Sequence, residues 1–324
     1  EAEQHAGYRT PDDEAWAYGG DRIPEASQVH RFSIVNAYAT GQAVVLPRVQ
    51  AFLGLNWNRT YGDERLTPKT GGIFEPGRGW TLKAMVGEGF RSPTIYQRFY
   101  TDAEVYIDNP ALSPETVRTG EISLLRRLGR ESGDSRGGPP RLSLTAHLSR
   151  YEALIQSADA LREETPHAGD PQYADTLSQY VNRGGIRAYG IEAALRGARL
   201  AGWRLAARLS WQRAEDERGE RLPNTPAILA GLRAARRLGA WQASFEGRLM
   251  GARDTHAGDP AAAHATAHAT LGWEASRAGT WVRLRIDNLF DTPGRTVVAW
   301  PDFHPVASVP IDGRRATFSV ETRL

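Results

Sequence analysis

The chain has 324 residues, 40% of them hydrophobic and 24% charged, with a formal net charge of +2. That near-balance excludes the strongly basic surface of a nucleic-acid binder. The absence of Cys excludes a disulfide framework, thiolate zinc sites, iron–sulfur clusters and a Cys nucleophile. Lys occurs only at Lys69 and Lys83, so the cations are nearly all Arg. No run of 18 apolar residues is present, which excludes a transmembrane helix. Glu1-Ala2-Glu3-Gln4-His5 lacks the basic start and apolar stretch of a signal peptide.

Residues 1–29 are polar and turn-rich, with Pro11-Asp12-Asp13-Glu14 and Gly19-Gly20-Asp21, and read as a loop. From there on the dominant signal is an alternation of period 2, the pattern of a strand with one apolar face. Val49, Ala51, Leu53, Leu55 and Trp57 oppose Gln50, Asn56 and Asn58. Further strands start near Trp80, Leu142 and Ile191. Trp203, Leu205, Ala207, Leu209 and Trp211 oppose Arg204, Ala206, Arg208, Ser210 and Gln212. Trp241, Ala243, Phe245 and Leu249 oppose Gln242, Ser244, Glu246 and Arg248. Two more start near Ala265 and Val282, and Ala316, Phe318, Val320 and Leu324 oppose Arg315, Thr317, Ser319, Glu321 and Arg323.

The pattern gives about 13 strands of roughly 10–12 residues, where soluble strands run ~5–6. Ten residues tilted ~40° span about 25 Å, the height of an outer-membrane apolar band. Trp57, Trp80, Trp203, Trp211, Trp241, Trp273 and Trp281 stand near strand ends, where rings suit the lipid–water interfaces. The opposite face carries Arg204, Arg208, Glu246, Arg248, Arg283, Arg285 and Asp287, too many charges for a dry core but acceptable in a wet or protein-plugged lumen. Connections alternate. Residues 75–78, 197–200, 238–239 and 275–279 are short, 128–139 intermediate, and 90–115, 156–183, 213–224, 252–263 and 291–313 long. Outer-membrane barrels sort their connections this way, long loops outside and short turns in the periplasm.

Several segments resemble the TonB-dependent outer-membrane receptors. They are Gly87-Glu88-Gly89-Phe90-Arg91-Ser92-Pro93 and Asn109-Pro110-Ala111-Leu112-Ser113-Pro114-Glu115; Tyr180-Val181-Asn182 with Tyr189-Gly190-Ile191-Glu192; Asp287-Asn288-Leu289-Phe290-Asp291; and Asp312-Gly313-Arg314-Arg315. The resemblance covers residues 30–324. It implies an all-β transmembrane antiparallel barrel, of which this chain supplies the C-terminal ~13 strands of 22, without the plug domain or the segment that contacts TonB. Residues 1–29 then read as the remnant of an extracellular loop. Family barrels end in an aromatic, whereas this chain ends in Leu324 with Phe318 on the same face.

The resemblance further implies a bacterial outer-membrane receptor, not an enzyme, that imports a scarce metal chelate into the periplasm with energy from TonB. A ferric siderophore is the commonest cargo, with cobalamin and haem as alternatives. No cofactor is expected. The expected partners are outer-membrane lipid, the chelate and the TonB complex; no nucleic acid is expected. The alternative is a non-energised pore or a truncated barrel fragment. Within the long loops, Arg91, Tyr100, Tyr106, Trp300, Phe303 and His304 are the ligand candidates, by stacking, hydrogen bonding or anion pairing. Arg91 reads equally as a structural partner of a lumen carboxylate.

Three other constellations carry less. His264 and His268 sit four apart, which on a strand separates them by ~13 Å, too far for one metal ion, so both read as lumen-facing polar residues. His256 and the loop acids Glu215, Asp216, Glu217 and Glu220 read as solvated. His147 and Ser149 share the polar face, which argues against a lipid-facing hydrolase.

Overall fold

The computed structural model describes residues 2–6, 28–60, 62–102, 105–129, 139–161, 175–275, 279–298 and 306–322, with side chains from residue 33 onward. In chain order the elements begin with β1 (Ala2–Ala6), β2 (Gln28–Phe32), β3 (Ile34–Leu46), β4 (Val49–Thr60), β5 (Asp63–Gly77) and β6 (Trp80–Arg91). The short helix α1 (Ile95–Phe99) and β7 (Tyr106–Ile107) precede β8 (Glu115–Arg127), β9 (Arg141–Glu152), β10 (Ile155–Leu161) and β11 (Thr176–Asn182). Next come β12 (Gly185–Leu200), β13 (Trp203–Asp216), β14 (Ile228–Leu238), β15 (Trp241–Met250), β16 (Arg253–Asp254) and β17 (Pro260–Ala261). The chain closes with β18 (His264–Glu274), β19 (Trp281–Asp287), β20 (Arg295–Val297), β21 (Ser308–Pro310) and β22 (Arg315–Glu321).

Thirteen of these strands form one antiparallel sheet in the order β22-β19-β18-β15-β14-β13-β12-β9-β8-β6-β5-β4-β3. Each pairs with its neighbour along the chain, so the sheet is an up-and-down meander. Its outer strands β3 and β22 each carry one unpaired edge among the described residues.

The register sorts the side chains onto two faces. Leu205, half-buried, falls on one face with Leu209, Leu232, Phe245, Leu249, Leu271, Leu284 and Phe318, which remain open to the surroundings, Leu209 at 53%. Ser210, Arg208, Arg233, Glu246, His268 and Asp287 fall on the other. The buried apolar side chains of the described residues include Pro93, Ile95, Ile107, Leu112, Leu177, Ala261 and Val297, all outside the thirteen-stranded sheet. A sheet that long with an apolar face and no core behind it is stable only where lipid takes the place of the core. Trp80, Trp203, Trp241 and Trp273 ring the apolar face at one end, and Trp57, Tyr189 and Trp211 at the other. Trp241 stacks on Trp273 at 6.1 Å, and Tyr189 meets Trp211 edge-on at 5.9 Å. Trp281 departs from the expected belt. The apolar residues of β19 are Val282, Leu284 and Ile286, which puts Trp281 on the polar face, opposite Glu321. There the Arg237 and Arg283 guanidinium groups lie 5.5 and 5.6 Å from its ring.

The turns at the short end differ in position from the sequence reading. Residues 78–79 and 201–202 form the β5–β6 and β12–β13 turns, starting three and four residues later than the expected 75–78 and 197–200. In each case a register shift breaks the alternation before the strand ends, at Glu75-Pro76 just before Gly77 (φ 98°) in β5 and at Gly197 (φ 75°) in β12. Arg78-Gly79 and Ala201-Gly202 then turn with positive φ at both positions, the twist that a two-residue hairpin requires.

At the long-loop end, β13 extends to Asp216 instead of stopping at Gln212. The expected loops 90–115 and 156–183 carry ordered structure: α1, and a small sheet in which β11 pairs antiparallel with β10 and parallel with β7. One connection at this end, residues 61–62, is short. β1 and β2 pair with each other as a separate hairpin within and beside the expected loop 1–29.

Candidate functional site

The long-loop end of β6 and β8 is built by the residues that the sequence singles out. Gly87 and Gly89 keep the inner wall low: a Cβ at Gly87 would stand 3.4 Å from Lys69 Cγ, and one at Gly89 3.3 Å from Val117 Cγ1. Arg91 ends β6, and its Nε donates to Glu115 Oε2 at 2.7 Å on the neighbouring strand. Arg91 Nη1 also donates to Gln97 Oε1 at 3.2 Å. Gln97 completes a capping box. Its backbone N–H donates to Thr94 Oγ1 at 3.1 Å, and its side-chain oxygen accepts the Thr94 N–H at 3.0 Å. This starts α1 directly after Pro93. The buried Arg98 of α1 pairs with Asp63 and donates to the Leu112 carbonyl at 2.7 Å.

The second and third motifs lock onto this platform. Asn109 Nδ2 donates to the Tyr180 carbonyl at 2.8 Å. Asn182 accepts the Ser113 N–H at 2.7 Å and donates to the Ser113 and Ala153 carbonyls, each at 2.8 Å. Glu115 accepts the Ile155 N–H at 2.7 Å. Segments some 70 residues apart are therefore one hydrogen-bonded unit. Arg91 is a brace in that unit and not a free cation.

On the unit stand four tyrosines. Tyr96 and Tyr100 stack at 4.4 Å, and Tyr106 and Tyr180 at 5.6 Å. Tyr100 meets Tyr106 edge-on at 5.8 Å, and Tyr96 meets Tyr180 at 6.2 Å, closing the ring of contacts. Tyr96 is 49% exposed and the other three are half-buried. Burial pushes the Tyr180 hydroxyl up to about 12, with the adjacent Tyr106 adding to the shift. Burial likewise raises Tyr96 and Tyr100. The cluster offers ring faces and protonated hydroxyl donors. Tyr100 and Tyr106 were legible as loop aromatics. Tyr96 and Tyr180 were not, because only the pairing of β11 with β7 brings residue 180 to the helix.

The other candidates separate. Trp300, Phe303 and His304 lie outside the described residues, as does Leu324. His264 and His268 both face the inner wall, as expected; His268 Nδ1 lies 2.9 Å from Asp287 Oδ1. Asp216 Oδ1 accepts the Arg218 and Glu220 N–H groups, both at 2.9 Å, so this acid shapes a turn. Among the described residues no group of three or more His, Asp or Glu is placed to hold a metal ion.

The last two motifs also meet. Asn288, buried and at φ 47°, accepts the Thr292 N–H at 2.9 Å and donates to the Asp312 carbonyl at 3.2 Å. Asp291 Oδ1 accepts the Arg314 N–H at 2.7 Å. They pin both feet of the last long loop.

A family profile described as TonB dependent receptor-like, beta-barrel, matches residues 2–289. The chain belongs to the TonB-dependent receptor β-barrel family. A variant of the ferric enterobactin receptor of Pseudomonas aeruginosa is similar in structure, at 16% identity and a TM-score of 0.72, covering 91% of this chain and 45% of that one. The ferric-catecholate import receptor Fiu of E. coli K12 aligns at 13% identity and a TM-score of 0.68, over 89% of this chain and 44% of that one. The copper transporter OprC aligns at 15% identity and a TM-score of 0.66, over 90% and 48%. At these identities the likeness shows the fold, and this TonB-dependent receptor barrel spans less than half the length of those structures. No curated protein matches the chain.

Proposed function

We propose that this barrel segment is the wall and outer mouth of an energy-coupled outer-membrane importer of a metal chelate, a ferric siderophore foremost. The observation that carries this reading is the tyrosine cluster, held at the long-loop end by the motif-to-motif hydrogen bonds. Stacked, partly exposed phenol rings bind flat or aromatic ligand faces, and their hydroxyls donate to oxygen-rich chelates. Binding sites of this kind sit on ordered loops above a rigid scaffold. The similar structures, a ferric enterobactin receptor, a ferric-catecholate import receptor and a copper transporter, fit a metal-related cargo.

The unpaired edges of β3 and β22 carry unsatisfied backbone groups that lipid does not accept. Further strands close the cylinder in this reading, to an even number. A plug fills the lumen, TonB acts on that plug, and the face bearing Leu209 and Phe245 contacts outer-membrane lipid. Residues 1–29 belong to an extracellular loop, and 30–324 to the barrel.

The test is growth of a deletion strain under iron limitation, with uptake of labelled ferric catecholates and hydroxamates. Loss of uptake of one chelate, reproduced by Tyr96→Ala with Tyr100→Ala, supports the reading. Unchanged uptake of every iron source rejects it.

A further inference from the structure

Three connections of the long-loop end meet at one guanidinium. Arg253 lies on β16, in the β15–β18 connection, and is 4% exposed. Its Nε donates to Asn224 Oδ1 at 3.0 Å, in the β13–β14 connection. Its Nη2 donates to the Arg295 carbonyl at 2.8 Å, on β20 of the β19–β22 connection. The backbone follows the same junction: the Asn224 N–H donates to the Asp254 carbonyl at 2.8 Å, and β17 packs against β20.

Both acceptors are neutral. Nη1 is buried without a hydrogen-bond partner, and among the described residues no carboxylate pairs with this side chain. Asp254, the nearest acid in sequence, alternates to the other face of β16. Thr255 shares the face of Arg253, is 3% exposed, and likewise has a buried hydroxyl without a partner. Arg98, also buried, shows the usual arrangement, since Asp63 pairs with it. Burial pulls Arg253 below the ordinary arginine value, with no neighbouring charge acting against that shift.

A guanidinium keeps its proton, so the junction holds a positive charge away from water. The Asn224 and Arg295 oxygens satisfy two donors and leave that charge uncompensated. A water molecule at Nη1 would satisfy a third donor with the same result. An anion does both, and burying a cation with a counter-charge costs far less than burying it alone. The donors on offer are one guanidinium edge and one hydroxyl, both closed to solvent. They suit a monatomic ion better than a carboxylate on a chain or a phosphate. We propose that Arg253 and Thr255 form a binding site for a small inorganic anion of chloride size, which fastens the β13–β14, β15–β18 and β19–β22 connections to one another. The site uses none of the tyrosine-cluster residues and does not depend on the importer reading.

The experiment uses the full-length protein purified in detergent, with chloride replaced by gluconate at constant ionic strength and then titrated back. Hydrogen exchange is followed in residues 217–227, 251–263 and 288–298, with β8 and β9 as the reference. The expected result is exchange several-fold slower in chloride in all three segments and unchanged in the reference strands. Arg253→Gln should abolish the chloride effect and Thr255→Val should weaken it. Wild-type crystals grown in bromide give a reading that needs no variant to fold: an anomalous peak beside Arg253 Nη1 supports the site. Equal exchange in chloride and gluconate overturns the proposal, as does a chloride effect that persists in Arg253→Gln. A water at Nη1 with no bromide signal overturns it too.

Discussion

Arg91 Nε donates to Glu115 Oε2 at 2.7 Å, joining the last residue of β6 to the first of β8. The pair closes the base of the 23-residue excursion that carries α1 and three of the four tyrosine rings outward from that base. The Arg91 side chain is about half exposed, so water screens the attraction. A double-mutant cycle with Arg91→Ala and Glu115→Ala is expected to give a coupling of about 0.5–1 kcal/mol in detergent unfolding. A coupling near zero would show that the Ile155 N–H alone positions Glu115.

Arg98 is a different case, since it is buried and its charge faces Asp63. Arg98→Met keeps the packing volume but leaves Asp63 without that cation and the Leu112 carbonyl without that donor. The expected loss is about 2–4 kcal/mol, read as a lower midpoint of denaturant unfolding. Proteolysis of the 92–114 segment should become faster in parallel.

The pH dependence of the mouth follows from Tyr180. Its folded value of about 12 lies above the ordinary 10.0, so the folded state holds the proton more tightly than the unfolded chain. That contribution to stability is complete below pH 10 and is lost as pH rises toward 12. Alkaline titration of phenolate absorbance, wild type minus Tyr180→Phe, should show one ring ionising late. A difference spectrum centred at pH 10 would contradict the burial of this hydroxyl.

Gly190 has a packing role that its motif does not announce. A Cβ there would stand 2.6 Å from the Trp211 carbonyl oxygen and 2.9 Å from His147 Cε1. Gly190→Val is expected to cost at least about 1–3 kcal/mol and to lower the yield of folded barrel. His147→Ala in the same chain should recover part of that loss, because it removes one of the two obstacles.

Face assignment has its own test at adjacent positions. Leu209→Arg places a cation on the apolar face at mid-strand, where the cost is about 2–4 kcal/mol. Ser210→Arg places the same cation on the inner wall and should cost less than about 0.5 kcal/mol. Equal effects in vesicle-assembly assays would remove the distinction between lipid and lumen.

The strands were legible because alternation is a property of the chain alone. Trp203 to Gln212 separates into two faces without knowledge of any neighbour. Legibility stopped at Glu75-Pro76 and at Gly197, where a bulge changes the phase of the pattern before the strand ends. It also stopped at the loops. Tyr100 and Tyr106 read as available aromatics, but Tyr180 looked like one residue of a strand motif. Asn109, Asn182 and Asn288 were recognisable as letters of motifs, while their hydrogen bonds to distant carbonyls were not.

The sequence by itself determined the architecture: long amphipathic strands, long and short connections in turn, and an apolar face that only lipid satisfies. Its period-2 signal is local, and local patterns survive without their partners. Only the tertiary structure decided what touches what. It made Arg91 a brace, gathered four tyrosines at one mouth, and brought Asn224 and Arg295 to the guanidinium of Arg253. Those relations are set by cross-strand register over separations of tens of residues, and register depends on turns and bulges that shift it one residue at a time.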